Sequence, residues 1–281
     1  MQINQKEIDR IIDSALSEDI GKGDITANLL IPETAKAHLV FKNREAMIIG
    51  GGFIVPQVFA RLNPHIICKV NIEEGQLLEQ PTALIEVSGQ GRAILSGERV
   101  ALNLLQRISS IATNTAKYVQ AVKGTNAIIL DTRKTMPGLR EIDKYGVRIG
   151  GGQNHRMRLD DAILIKDNHI AICGGISGAL QKAIAGNVEN LPIEIECDNL
   201  AQFEEALAAG ATRIMLDNMS PEQLSQAVKI NAGKAKLEAS GNVNLQNIRQ
   251  IAETGVDFIS IGRLTHSVNN VDIGLDIEIE E

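Results

Sequence analysis

The sequence predicts an α/β protein in two parts, the second of them built on parallel strands. Beyond Thr125, short apolar runs (NAIILD, AILI, IEIE, RIML, KLEA, DFISI) alternate with helical stretches, in repeats of roughly twenty residues. Continuous apolar runs of that length read as strands buried on both faces of a parallel sheet. Between Ala37 and Gly89 the pattern differs: short strands succeed one another around a single helix.

Each element has its own signal. Ile8, Ile11, Ile12, Ala15 and Leu16 recur at helical spacing, so an opening helix with one apolar face is expected, ending before Gly21 and Gly23. Leu39 and Phe41, then HIICKVN and TALIEVSG, read as strands, broken by a helix around Phe53 to Leu62. A long helix is expected from about Ser96 to Val122, with Val100, Leu104, Ile108 and Ile111 on one stripe. The domain boundary is placed within or just after it: an N-terminal domain over 1–110, a second over 111–265, and a tail over 266–281 that returns to the first. In the second half, Ser220, Pro221 and Gln223 supply a cap, a first-turn proline and a capping-box partner. Gly210 and Gly255 can stop their helices in the left-handed conformation. These repeats fit either a parallel barrel or a doubly wound sheet.

Composition excludes several function classes. The 281 residues carry a formal net charge of -7, with 44% hydrophobic and 22% charged residues and no apolar run of membrane-spanning length. The start MQINQKEIDR lacks a signal-peptide core. Cys68, Cys173 and Cys197 are odd in number and far apart, which reads as reduced thiols in a cytoplasmic protein and argues against structural zinc. A pI near 5.4 and 2% aromatic residues leave little for nucleic acid to bind.

Against that acidic background, Asp131 to His169 gathers Arg133, Lys134, Arg140, Arg148, His155, Arg156, Arg158 and Lys166 among glycines and six acidic residues. Arg offers a planar fork matched to carboxylate and phosphate, and Lys a compact charge, so a small polyanion is the expected resident. Arg140, Lys144, Arg148 and Arg158 are equally readable as surface charge. The residues that terminate the apolar runs point the same way: Asp131-Thr132-Arg133-Lys134, Lys166-Asp167-Asn168, Glu196-Cys197-Asp198, Asp217-Asn218, Ser240-Gly241-Asn242 and Gly262-Arg263. In a parallel barrel these ends converge on one mouth.

Ser240-Gly241-Asn242 and Gly262-Arg263 close the last two strands, where barrels often hold phosphate on backbone N–H groups. Glu196 and Asp217 are candidates for Mg²⁺, for ribose hydroxyls or for stabilising a cationic transition state, and equally for pairing with Lys166 or Arg133. Glu194 shares the face of Glu196 by period-two alternation. His155 in its glycine-rich loop reads as an anion donor or proton carrier. A metal set of His155, His169 and Cys173 matches no common zinc spacing. IGGGQNH departs from the dinucleotide fingerprint and has no ribose-binding acid at the required distance.

EDIGKGDIT near residue 18, GERVALN at 97, DTRKTMPGLR at 131, GGGQNHR at 150, LIKDNH at 164, IEIEC at 193, MLDN at 215, EASGN at 238 and IGRLTHS at 261 run in order along almost the whole chain. Together they resemble the quinolinate phosphoribosyltransferase family (nicotinate-nucleotide pyrophosphorylase, carboxylating). The resemblance implies a cytoplasmic homodimer with an N-terminal α/β sandwich and an incomplete, TIM-like parallel α/β barrel of the type II phosphoribosyltransferase kind. It implies that quinolinate and phosphoribosyl pyrophosphate give nicotinate mononucleotide, pyrophosphate and CO2 with Mg²⁺ and no organic cofactor, in NAD biosynthesis.

Carried over by motif, Arg99, Thr132, Arg133, Lys134, His155, Arg156 and Lys166 resemble binders of the quinolinate carboxylates and pyrophosphate, with Arg99 supplied by the partner subunit. Glu196 and Asp217 resemble the acids around ribose and metal, and Ser240, Gly241, Asn242 and Gly262 the 5′-phosphate loops. Lys134, Lys166, Glu196 and Asp217 are then the catalytic candidates. Arg263 departs from the family, which commonly has a small residue there.

Two rivals stand beside this reading. One is a related phosphoribosyltransferase, either a nicotinate enzyme or the molybdenum-associated paralogue. The other is a carrier module, since VNIEEGQLLEQPTALIEVSG resembles swinging-arm domains, although its only lysine candidate is Lys69.

Overall fold

The structure, a computed structural model, describes residues 3–280, the last three by backbone alone. Along the chain the elements are α1 (Gln5–Ile20), α2 (Ile25–Leu30), β1 (Lys36–Asn43), β2 (Met47–Ile48), α3 (Ile54–Leu62), β3 (Ile67–Val70), β4 (Leu77–Leu78), β5 (Ala83–Gln90) and α4 (Gly91–Ala121). Next come β6 (Ile128–Leu130), α5 (Arg140–Ile149), β7 (Ile163–Ile165), α6 (Asp167–Cys173), α7 (Ile176–Gly186), β8 (Ile193–Cys197) and α8 (Leu200–Ala208). The chain closes with β9 (Arg213–Asp217), α9 (Pro221–Asn231), β10 (Lys236–Ser240), α10 (Ile248–Glu253), β11 (Phe258–Ser260), α11 (Arg263–His266) and β12 (Ile273–Glu280).

Two compact units result. The first comprises the chain up to Ala116, the segment Met136–Gly151 and the chain from Ser267. Its antiparallel sheet has the order β12-β1-β5-β3, so the tail lies alongside β1 with Leu39 opposite Ile277. Alternation in β1 sends Ala37, Leu39 and Phe41 inward, against Ile8 and Ile12 of α1 and Phe59 of α3. Asn4 caps α1 through its side chain, and Gly21 at φ 54 ends it, as the glycine spacing predicts.

Met136–Gly151 groups with the first unit, although the sequence boundary places it in the second domain. The physical reason is close helix packing. A Cβ on Gly146 would stand 3.0 Å from the Ile108 carbonyl oxygen, and one on Gly150 only 2.4 Å from that of Ala112, so glycine at both positions lets α5 press onto α4. Ile142 joins the first unit's core, and fully buried Asp143 accepts from Arg107 at 2.9 and 2.8 Å. Lys69 lies within β3 beside Glu86 rather than on a hairpin tip, which removes the attachment point a carrier module needs.

The second unit spans Lys117–Thr135 and Gly152–His266. Its six-stranded sheet has the order β6-β11-β10-β9-β8-β7, parallel throughout. Sequential order from β7 to β11, with β11 returning to β6, is the cyclic order of a barrel left open between β6 and β7. A doubly wound sheet would reverse direction in mid-sheet. The Ser220–Gln223 capping box and Pro221 start α9 as expected.

Candidate active site

Side chains alternate across each barrel strand. Glu194 and Glu196 on β8, Arg213, Met215 and Asp217 on β9, Glu238 and Ser240 on β10, and Phe258 and Ser260 on β11 share the interior face, while Ile195, Ile214, Leu216, Leu237 and Ile259 face the helices. The inward residues form an upper level of Glu196, Asp217, Ser240 and Ser260 at the carboxyl ends and, below it, Glu194, Met215, Glu238 and Phe258. Arg213 starts β9 one inward position below Met215 and joins Glu194 and Glu238 through its side chain.

Two adjoining cavities occupy the upper level. One, about 420 Å³, is lined by Arg133, Lys134, His155, Arg156, Lys166, Glu196 and Asp217, with Leu164 and Met215 as apolar walls. The other, about 340 Å³, is lined by Asn218, Gly241, Asn242, Gly262, Arg263 and His266. Thr132, Lys134, Asp217, Ser240 and Ser260 border both. Every strand of the barrel therefore contributes, directly or through the residues just past its end.

The DTRK and QNHR segments meet because Gln153 extends the sheet beside β6. Gln153 donates its N–H to the Ile129 carbonyl at 2.8 Å and accepts from Asp131 N at 3.1 Å. Fully buried Asp131 then accepts from His155 N at 2.9 Å and from Asn154 Nδ2 at 2.5 Å. A buried carboxylate with such donors is satisfied, and it pins the two cationic segments side by side. Burial first, and then the neighbouring Arg133 charge, hold the Arg156 guanidinium below its ordinary pKa. Two cations kept this close favour an anion between them.

Opposite them, Lys166 is paired with Glu196, a charged couple within the cavity. His169 accepts the Lys166 backbone N–H on Nδ1 at 2.9 Å, which fixes the start of α6 and takes His169 out of any metal set with Cys173. Asp217 accepts from Asn218 Nδ2 at 2.5 Å, and Asn218 Oδ1 accepts from Asn242 Nδ2 at 3.1 Å. Gly241, at φ 92, is required here, since a Cβ would stand 2.2 Å from Asn218 Oδ1. The Lys134 side chain lies against Gly262, and the Lys134 carbonyl accepts from Thr265 Oγ1 at 2.8 Å.

Of the residues expected at the site, all except Arg99 line these cavities. Arg99 is exposed on α4 in the first unit. Arg140, Lys144 and Arg148 sit on α5 of that unit, Lys144 wholly buried and Arg148 over the Tyr145 ring at 5.4 Å. Arg158 is exposed beside Asp160. None of these four lines either cavity.

The sequence places Asp131, Asp198 and Asn218 at strand ends without giving them a role, and the pair Arg213 and Glu238 goes unmarked. The alternation that flagged Glu194 would have found Arg213 and Glu238 had it been applied to RIMLD and KLEAS.

Glu196, Asp198 and Asp217 bring carboxylate oxygens within 4.8 Å of one another, and His155, Glu194 and Glu238 bring their ligand atoms equally close below. In the lower group Arg213 already supplies the positive charge, at 3.0 Å to Glu194 and 2.5 Å to Glu238, so it is an ion-pair network.

A parallel α/β barrel with arginines, lysines and paired acids at its strand ends, beside glycine loops on the last two strands, defines a small-molecule enzyme for anionic, phosphorylated substrates. Family models describe the chain in two adjoining parts: "Quinolinate phosphoribosyl transferase, N-terminal domain" over 24–109 and its C-terminal domain over 111–276. A Bacillus subtilis protein named probable nicotinate-nucleotide pyrophosphorylase [carboxylating] is 41% identical over 280 residues, covering 99% of this chain and 96% of that one. Among solved structures, NadC from Streptococcus pyogenes superposes with TM-score 0.95 at 37% identity over all of both chains. Nicotinate-nucleotide pyrophosphorylase from Ehrlichia chaffeensis gives TM-score 0.93 at 45% identity, over 99% of this chain and 100% of that one. The chain belongs to the quinolinate phosphoribosyl transferase family.

Proposed function

We infer that this chain transfers the phosphoribosyl group of phosphoribosyl pyrophosphate to quinolinate and releases CO2, giving nicotinate mononucleotide and pyrophosphate for NAD biosynthesis. The observation that carries the reading is the pairing of the two cavities: a cationic one walled by Leu164 and Met215, and beside it one lined by the glycine loops, with Lys134 and Asp217 common to both. An aromatic dicarboxylate fits the first, a sugar phosphate the second, and the reacting atoms meet at their shared border.

Arg133 and Arg156 hold the dicarboxylate, and Lys134 and Lys166 offset the remaining negative charge. Gly241, Asn242 and Gly262 receive the 5′-phosphate, with Arg263 adding a cation to that loop. The ring nitrogen then forms a bond to C1 of the sugar as the C1–oxygen bond to pyrophosphate breaks. Glu196 and Asp217 face the positive charge that develops at C1. With the ring nitrogen substituted, the pyridinium draws in the electrons of the bond to the adjacent carboxylate. CO2 leaves, and a proton takes its place.

Glu196, Asp198 and Asp217 have the oxygen donors a magnesium ion prefers, which makes them the residues to hold one. Bound there, the ion would neutralise pyrophosphate charge.

The enzyme works as a homodimer in which Arg99 completes the partner's site. Support comes from the first unit, where α2 exposes Ile25, Leu29 and Leu30 by 74%, 77% and 72%, an apolar face that needs cover. Ser96 donates to Asp24 at 3.0 Å and Arg92 Nε to the Ile31 carbonyl at 2.6 Å, tying α2 to the turn of α4 before Arg99. Arg99 therefore stands beside that face.

Substrate selectivity tests the assignment. Purified protein with Mg²⁺ and phosphoribosyl pyrophosphate is expected to turn over quinolinate and leave nicotinate untouched. Turnover of nicotinate alone would assign it to the related nicotinate enzymes.

A further inference from the structure

The lower level of the barrel interior is a linked set of charges that ends on the cationic cavity. Arg213 lies over the Phe258 ring at 4.5 Å, donates through Nε to Glu194 Oε1 at 3.0 Å and through Nη2 to Glu238 Oε2 at 2.5 Å. The other Glu194 oxygen stands 2.9 Å from His155 Nε2. Both carboxylates are buried.

The other side of the imidazole fixes its tautomer. The Arg156 backbone N–H donates to His155 Nδ1 at 2.8 Å, so Nδ1 is an acceptor and the ring proton sits on Nε2, facing Glu194. Both ring nitrogens are thereby engaged inside the protein.

We propose that Glu194 and Arg213 are positioning residues of this site: acting through the His155 ring they fix the Arg156 backbone, and so aim the guanidinium that meets the quinolinate carboxylates, while His155 itself gives substrate no N–H. The assignment rests on the quinolinate reading above. It changes the role of His155, which the sequence suggests as a direct anion donor. The cation–π contact and the use of Nε and Nη2 on two different carboxylates mean that the charge and the fork of Arg213 are both needed.

Imidazole nitrogen NMR and calorimetry on the full-length protein test this together. The His155 resonances, one set among five histidines, are assigned by their loss in His155→Gln. Wild type is expected to show Nδ1 unprotonated and Nε2 protonated. Glu194→Gln, nearly isosteric, leaves one acceptor oxygen for two donors and is expected to weaken quinolinate binding about tenfold, with phosphoribosyl pyrophosphate affected less than about threefold. Arg213→Met is expected to match it, and Arg213→Lys to stay weak, because a point charge does not replace the fork. A protonated Nδ1 in wild type would overturn the proposal, as would unchanged quinolinate affinity in folded Glu194→Gln or equal losses for both ligands. If wild type fails to bind quinolinate, the functional reading falls, and the NMR result still decides the role of His155.

Discussion

Replacing Gly241 with alanine puts a methyl group where the loop after β10 has no room. The residue sits at φ 92, and the new Cβ would stand 2.2 Å from Asn218 Oδ1, 2.6 Å from its Cγ and 2.9 Å from its backbone nitrogen. Backbone strain alone costs about 1–2 kcal/mol. Asn218 can swing its amide away, but only by giving up the 3.1 Å contact from Asn242 and the 2.5 Å contact to Asp217. Its backbone nitrogen cannot swing, so the loops after β9 and β10 must separate. A misplacement on the order of 1 Å costs up to about a hundredfold in a positioned site, and each 1.4 kcal/mol is roughly tenfold. Gly241→Ala is therefore expected to raise the KM for phosphoribosyl pyrophosphate about tenfold to a hundredfold and to leave the KM for quinolinate within about threefold. Initial rates with each substrate varied in turn measure both. A folded variant whose KM for phosphoribosyl pyrophosphate is unchanged would refute the assignment of this loop to phosphate.

Arg156→Ala and Lys166→Ala are each expected to lower kcat/KM at least about a thousandfold in a folded protein; the melting temperature holds in Arg156→Ala, which removes one of two adjoining cations, and falls slightly in Lys166→Ala, which leaves Glu196 without its partner. Near-normal rates in either variant would contradict the site. Mixing inactive Arg99→Ala chains with inactive Lys166→Ala chains is expected to restore activity in heterodimers, where one site regains both residues; confirmed heterodimers without activity would contradict the shared site. Burial first, and then the Glu194 charge, push Glu238 up from 4.5 to about 7. The folded state therefore keeps a proton that the unfolded chain has lost, so this group's stabilisation is present below pH 4.5 and is lost as pH rises to about 7, by roughly 3 kcal/mol at most. Glu238→Gln is accordingly expected to gain stability relative to wild type between about pH 5 and pH 8 in thermal melts, and a constant difference across that range would refute the shift.

Much of this was legible because a parallel barrel places its chemistry at strand ends. The apolar runs marked the strands, and the polar residues after each run became the lining of both cavities. What linear reading could not do was divide the cationic stretch. Arg133 and Arg156 meet only because Gln153 pairs beside β6 and Asp131 fastens the segment, a one-residue bridge with no periodic signal. Arg140, Lys144 and Arg148 are carried instead by α5, whose glycines press it onto α4; Gly146 and Gly150 read in sequence as helix weakness and loop. Arg213 and Glu238 are a different case. Period-two alternation within RIMLD and KLEAS puts both on the interior face, as it does Glu194, whereas their pairing with each other lies on neighbouring strands and has no linear signal.

The most direct test of the central claim tracks the carboxylate that only quinolinate can lose. Quinolinate labelled in the carboxylate next to the ring nitrogen, incubated with phosphoribosyl pyrophosphate and Mg²⁺, is expected to release labelled CO2 and pyrophosphate in equal amounts, with nicotinate mononucleotide as the other product. Pyrophosphate released while the label stays in the product, or no turnover of quinolinate by the folded protein, would contradict it.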